Sequence, residues 1–174
     1  MRYRTGSISV AVGILMFGGL QVLPVARRTN PPVHPEQSFE QHLIVPPDIN
    51  AMMRRACMDC HSNETVWPWY SRIAPLSWAI ANDVNHGRKA MNLSEWSAGP
   101  GRRPEIAAST LAAACEDARS RRMPRFPYSA LHNSARLKPH EIEQFCAWTQ
   151  SEFSRLIQLK RQPKKASALL RASR

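Results

Sequence analysis

The chain has 174 residues, 43% of them hydrophobic, which suffices for one domain with a core and excludes a disordered polypeptide. A formal charge of +11 favours anionic partners: phospholipid headgroups, acidic redox proteins or nucleic acid. No nucleic-acid motif accompanies that charge and the basic tail lacks interleaved aromatics, so nucleic acid is not an expected partner.

Between residues 5 and 26 no side chain is charged, and residues 8–23 are mostly Ile, Val, Leu, Met, Phe, Ala and Gly. About 20 helical residues rise about 30 Å, the thickness of the hydrocarbon layer. A transmembrane helix within residues 1–26 is therefore expected, with Arg2 and Arg4 ahead of it. A cleavable leader is the rival, but Pro24 stands where a cut after Ala26 needs a small residue, which favours an uncleaved anchor. Residues 27–44, with Pro31, Pro32 and Pro35, read as an extended linker.

A domain is expected over residues 45–160. Asp48 is a candidate N-cap for a helix whose apolar positions are Ile49, Met52, Met53, Ala56, Cys57 and Cys60. Trp67-Pro68-Trp69-Tyr70 reads as a loop packed on something large and flat. A helix should run from Pro75 to about Gly87, and another from Pro104, at its first position, with Ala107, Leu111, Ala114, Cys115 and Ala118 aligned. Met123-Pro124-Arg125-Phe126-Pro127 breaks that helix, and Pro139 opens a last one with Ile142, Phe145, Cys146, Thr149, Phe153, Leu156 and Ile157 on one face. Nothing reads as strand. The fold class expected is all-α, ending in a basic tail over residues 161–174.

Cys57-Met58-Asp59-Cys60-His61 supplies the chemistry, because Cys-x-x-Cys-His is the attachment site of a c-type haem. Positions i, i+3 and i+4 share a helix face, so two thiols can meet the haem vinyl groups while the histidine points at iron. His61 is the expected proximal ligand. Met123, in a proline-containing loop downstream, is the expected distal ligand, and His132 is its competitor. Trp67, Trp69, Tyr70, Pro75 and Trp78 are candidates for the haem wall, and Pro68 or Pro75 for the carbonyl that orients His61. Arg72 and Arg88 are candidate propionate partners. Covalent haem attachment occurs outside the bacterial cytoplasm, so the domain is expected to face the periplasm from the inner membrane. In that oxidising compartment Cys115 and Cys146 are expected to form a disulfide, two separate buried thiols being the alternative.

The chain resembles the bacterial haem-binding domain family of membrane-anchored, cytochrome c-like proteins over about residues 20–150. The likeness is carried by Thr29-Asn30-Pro31-Pro32-Val33, by Cys57-Met58-Asp59-Cys60-His61-Ser62-Asn63-Glu64-Thr65 and by Trp67-Pro68-Trp69-Tyr70-Ser71. Ile73-Ala74-Pro75, Ser77-Trp78, Asp83, Gly87-Arg88, Asn92, Ser94-Glu95-Trp96 and Cys115 extend it, as do Met123-Pro124, Tyr128, His132, Ala135-Arg136-Leu137 and Cys146-Ala147-Trp148. Arg125 departs from the family pattern, where a second proline is common, and Lys138 where Ser or Thr often caps the last helix. The resemblance implies covalent haem at Cys57 and Cys60, His61 as ligand and a cytochrome c-like helical fold, and it supplies no reaction. A one-electron carrier with acidic redox partners is the leading expectation, ahead of an enzyme. A peroxidase or gas or redox sensor with a displaceable sixth ligand is the second, and a zinc or thiol module at Cys57, Cys60 and His61 the third.

Overall fold

A computed structural model describes residues 2–23 and 28–161, except for the side chains of residues 2–7. The tail beyond residue 161, Arg27 and the cut considered after Ala26 lie outside the described residues. Eight α-helices and four short 3-10 turns make up the described secondary structure, and no strand occurs among the described residues. The α-helices are α1 (Arg2–Val22), α2 (Phe39–His42), α3 (Pro47–Ala56), α4 (Met58–His61), α5 (Leu76–Ala90), α6 (Pro104–Arg119), α7 (Phe126–Leu131) and α8 (Pro139–Arg161).

The transmembrane expectation is corrected. Among the described residues no helix is long and apolar enough to cross a membrane. Near the C-terminal end of α1 the polar Gln21 interrupts the apolar run. Gln21 also turns back to the protein: its amide donates to the Ala74 carbonyl at 3.2 Å and accepts the Ala74 N–H at 3.0 Å.

Residues 27–44, expected as a linker, contain α2 and a 3-10 turn at Pro35–Gln37, and Phe39 and Leu43 are buried in the core. The Phe39 N–H donates to the Leu93 carbonyl at 2.9 Å, so this segment packs as part of the domain. Pro46, extended, caps α3 with Pro47 at its first turn, while Asp48 makes no side-chain cap. Pro75 caps α5, which continues to Ala90, past the expected end at Gly87.

The core joins α3, α6 and α8 through Ile49, Met53, Leu111, Ala118, Ile142, Phe145 and Leu156, with Trp96 sealed against them. Cys115 on α6 and Cys146 on α8 are disulfide-bonded, their Cα atoms 5.0 Å apart. The bond closes a loop of 31 residues. Removing it by a double Cys→Ala change should cost about 3–4 kcal/mol by letting the unfolded chain expand, read as a lower denaturant midpoint with a steeper slope.

Candidate functional site: an apolar cavity at the Cys-x-x-Cys-His turn

The helix expected through both cysteines is interrupted at Cys57, whose φ of −121° ends α3 and begins α4. The turn is still held helically, because the Cys60 and His61 N–H groups both donate to the Cys57 carbonyl, at 3.2 and 2.9 Å. Both cysteines are free thiols, and with His61 they line one cavity of about 300 Å³. Its walls are apolar on several sides: Met52, Met53 and Ala56 from α3, Leu111 and Ala114 from α6, and Phe145 from α8. Met52 and Met53, apolar positions of the expected helix, thus belong to the cavity.

Close approach of α5 to α4 makes one wall possible. A Cβ on Gly87 would fall against the Cys60 carbonyl, 2.9 Å from its carbon and 3.2 Å from the Cys60 Cβ. Backbone cannot yield as a flexible side chain does. Gly87→Ala should therefore separate the two helices and cost about 1–3 kcal/mol, measured as a lower melting temperature together with reduced haem content.

The His61 ring is fixed by its Nδ1–H, which donates to the Met91 carbonyl at 3.1 Å. That bond selects the tautomer whose Nε2 carries the lone pair a metal needs. Met91, and neither Pro68 nor Pro75, supplies the orienting carbonyl. Burial holds the imidazole below its ordinary pKa, against the pull of the Met91 and Gly87 carbonyls and of Asp117. Burial likewise pushes the Cys57 thiol up to about 12 and the Cys60 thiol up to about 11. Among the described residues no group of three or more His, Cys, Asp or Glu is placed to hold a metal ion by itself.

Met123 lines the same cavity and is 39% exposed. Its position follows from how α6 ends. Arg121 adopts a left-handed φ of 58°, the Arg121 N–H donates to Ala118 and the Arg122 N–H to Asp117, a Schellman stop. The Met123 N–H adds a bond to the same Asp117 carbonyl at 3.1 Å, and Arg125 pairs with Asp83 across the opening at 2.8 Å. His132 does not line the cavity. Its Nδ1 bonds the Tyr128 carbonyl at 3.1 Å, its Nε2 the Tyr70 hydroxyl at 3.3 Å, and its ring stacks on Tyr128. Tyr128 does line the cavity and donates its hydroxyl to Asp59 at 2.6 Å.

The expected aromatic wall is elsewhere. Trp67, Trp69, Tyr70, Pro75 and Trp78 are all absent from the cavity lining. The Trp67 indole donates to Asn30, Trp69 is 74% exposed, Tyr70 turns to His132, and Pro75 caps α5. Arg88 is likewise committed to protein oxygens rather than free for a propionate.

An all-helical fold with an apolar cavity, lined by two unpaired thiols and an oriented imidazole, defines a cofactor-binding protein. The family model described as haem-binding domain matches residues 15–151, and the chain belongs to that family and binds haem. No curated protein and no solved structure matches it. The lining fits the group: apolar side chains for the porphyrin, two thiols, an imidazole nitrogen and a thioether sulfur.

Proposed function

We propose that this protein is a c-type cytochrome of the extracytoplasmic side of a bacterial cell, carrying one covalent haem and transferring one electron at a time. The observation that carries the reading is the convergence of Cys57, Cys60, His61 and Met123 on one apolar cavity. Each cysteine S–H would add across a haem vinyl group, forming a C–S bond and placing its hydrogen on the other vinyl carbon. Haem supplies the iron couple. His61 would ligate through Nε2, held by Met91, and Met123 would offer its sulfur from the far end of α6. The apolar walls would limit the access of water, and the Met91 bond would hold the His61 ring in place during electron transfer.

The Cys115–Cys146 disulfide and the covalent attachment chemistry support a periplasmic setting. The basic charge supports redox partners with acidic surfaces. An oxidised spectrum with a methionine–iron charge-transfer band tests the electron-transfer reading. A high-spin spectrum, with carbon monoxide binding to the reduced native protein, would instead select the peroxidase or sensor reading, which the exposure of Met123 favours.

A further inference from the structure

The segment that follows His61 is tied down from two sides. Asn63 is 1% exposed and uses nearly every polar atom it has. Its N–H donates to Ser94 Oγ at 3.1 Å, and its Nδ2 donates to the Pro32 carbonyl at 3.0 Å and to Glu95 at 2.8 Å. Its Oδ1 accepts from Asn92 at 2.9 Å. The Leu93 N–H donates to the His61 carbonyl at 2.7 Å. Residues 61–63 and 91–95 are thereby one hydrogen-bonded unit, and that unit contains both the His61 ring and the Met91 carbonyl that orients it.

Arg88 locks the unit from the other side. Its Nε donates to the Ser62 carbonyl at 2.7 Å, one terminal nitrogen to the Thr29 carbonyl at 2.9 Å, and the other to Asn30 Oδ1 and Thr65 Oγ1, both at 2.8 Å. Thr65 in turn donates to the Asp59 carbonyl inside the Cys-x-x-Cys-His turn, at 2.8 Å. Asn30 completes the clasp, donating to the Thr65 carbonyl at 2.9 Å and accepting from the Trp67 indole at 3.0 Å. A planar guanidinium with a rigid fork of donors can span these four acceptors at once, and a lysine ammonium cannot. Neither Arg88, Asn63 nor Asn30 lines the cavity.

We infer that Arg88 and Asn63, with the strap at residues 29–32, are positioning residues for His61: they set the ring's tilt toward the cavity by fixing its backbone and its carbonyl partner as one body. This rests on the reading of His61 as the proximal iron ligand. It gives Arg88 and the Thr29-Asn30-Pro31-Pro32, Ser62-Asn63-Glu64-Thr65 and Asn92/Ser94-Glu95 motifs a shared task, which none of them has from the cavity alone.

The test uses the full chain with haem attached, and nitric oxide as probe. Nitric oxide added to the ferrous protein pulls the iron away from a poorly held proximal histidine, and the loss is read from the Soret band and the electron paramagnetic resonance pattern. Arg88→Lys, Asn63→Ala and the gentler strap variant Asn30→Ala should each lose the iron–His61 bond about tenfold faster than the parent, and shift its midpoint potential. Arg155→Gln, which breaks the ion pair with buried Glu152 far from the strap, should lower the melting temperature and leave that rate unchanged. Parent-like rates in Arg88→Lys and Asn30→Ala overturn the inference, as does an equal acceleration in Arg155→Gln. If Arg88→Lys does not fold, Asn30→Ala decides. Failure of the covalent haem reading is distinguishable, because the parent would then already weigh only as much as its polypeptide before any nitric oxide is added.

Discussion

With Cys57 and Cys60 both replaced by alanine, acidified organic solvent should extract essentially all the haem, whereas the parent should retain its haem through the same treatment. Each single variant should keep one thioether and stay coloured after extraction, with its reduced absorption band shifted. The argument is chemical. A coordinate bond to His61 is lost once acid protonates the imidazole, and apolar contacts with Leu111 and Phe145 vanish when the fold opens, but a C–S bond survives both. The double variant should still bind haem before extraction, since the cavity and His61 remain. Haem content by reduced pyridine complex, measured before and after extraction, separates binding from attachment. Full retention of haem by the double variant would contradict the roles given to the two sulfurs.

Met123→Ala should convert a low-spin protein to one with an open or water-filled sixth position. The methionine charge-transfer band should vanish, carbon monoxide should bind the reduced form readily, and the midpoint potential should fall by on the order of 100 mV, a fraction of the roughly 0.8 V that axial ligation spans. His132→Ala is the informative partner. Because His132 does not line the cavity and both its nitrogens are engaged, with the Tyr128 carbonyl and the Tyr70 hydroxyl, its removal should leave the spectrum as it was. A spectrum altered by His132→Ala and unaltered by Met123→Ala would exchange the two assignments.

The order of the main helices and the turn that carries Cys57, Cys60 and His61 were legible in the sequence because they depend on local patterns. Apolar spacing outlined α3, α5, α6 and α8, and prolines 75, 104 and 139 marked helix starts. The rest of the site depends on contacts between distant segments. Which carbonyl would reach His61 could not be read from spacing, since Met91 lies thirty residues on and arrives only when α5 crosses α4 at Gly87. The Trp67-Pro68-Trp69-Tyr70 loop suggested a flat partner, but an indole N–H is satisfied as well by Asn30 of the strap as by a cofactor. The uncharged run of residues 5–26 suggested a membrane span, but among the described residues no helix is long and apolar enough to cross a membrane. The linker reading failed for a different reason: Phe39 and Leu43 are two apolar residues in a short polar stretch, too few to show a period, yet both are buried.

The most direct measurement is the intact mass of the full chain, exported and matured in a periplasm with a working cytochrome c maturation system, together with its visible spectrum. The account predicts the polypeptide mass plus that of one haem, unchanged by acid extraction. A mass equal to the polypeptide alone would contradict it.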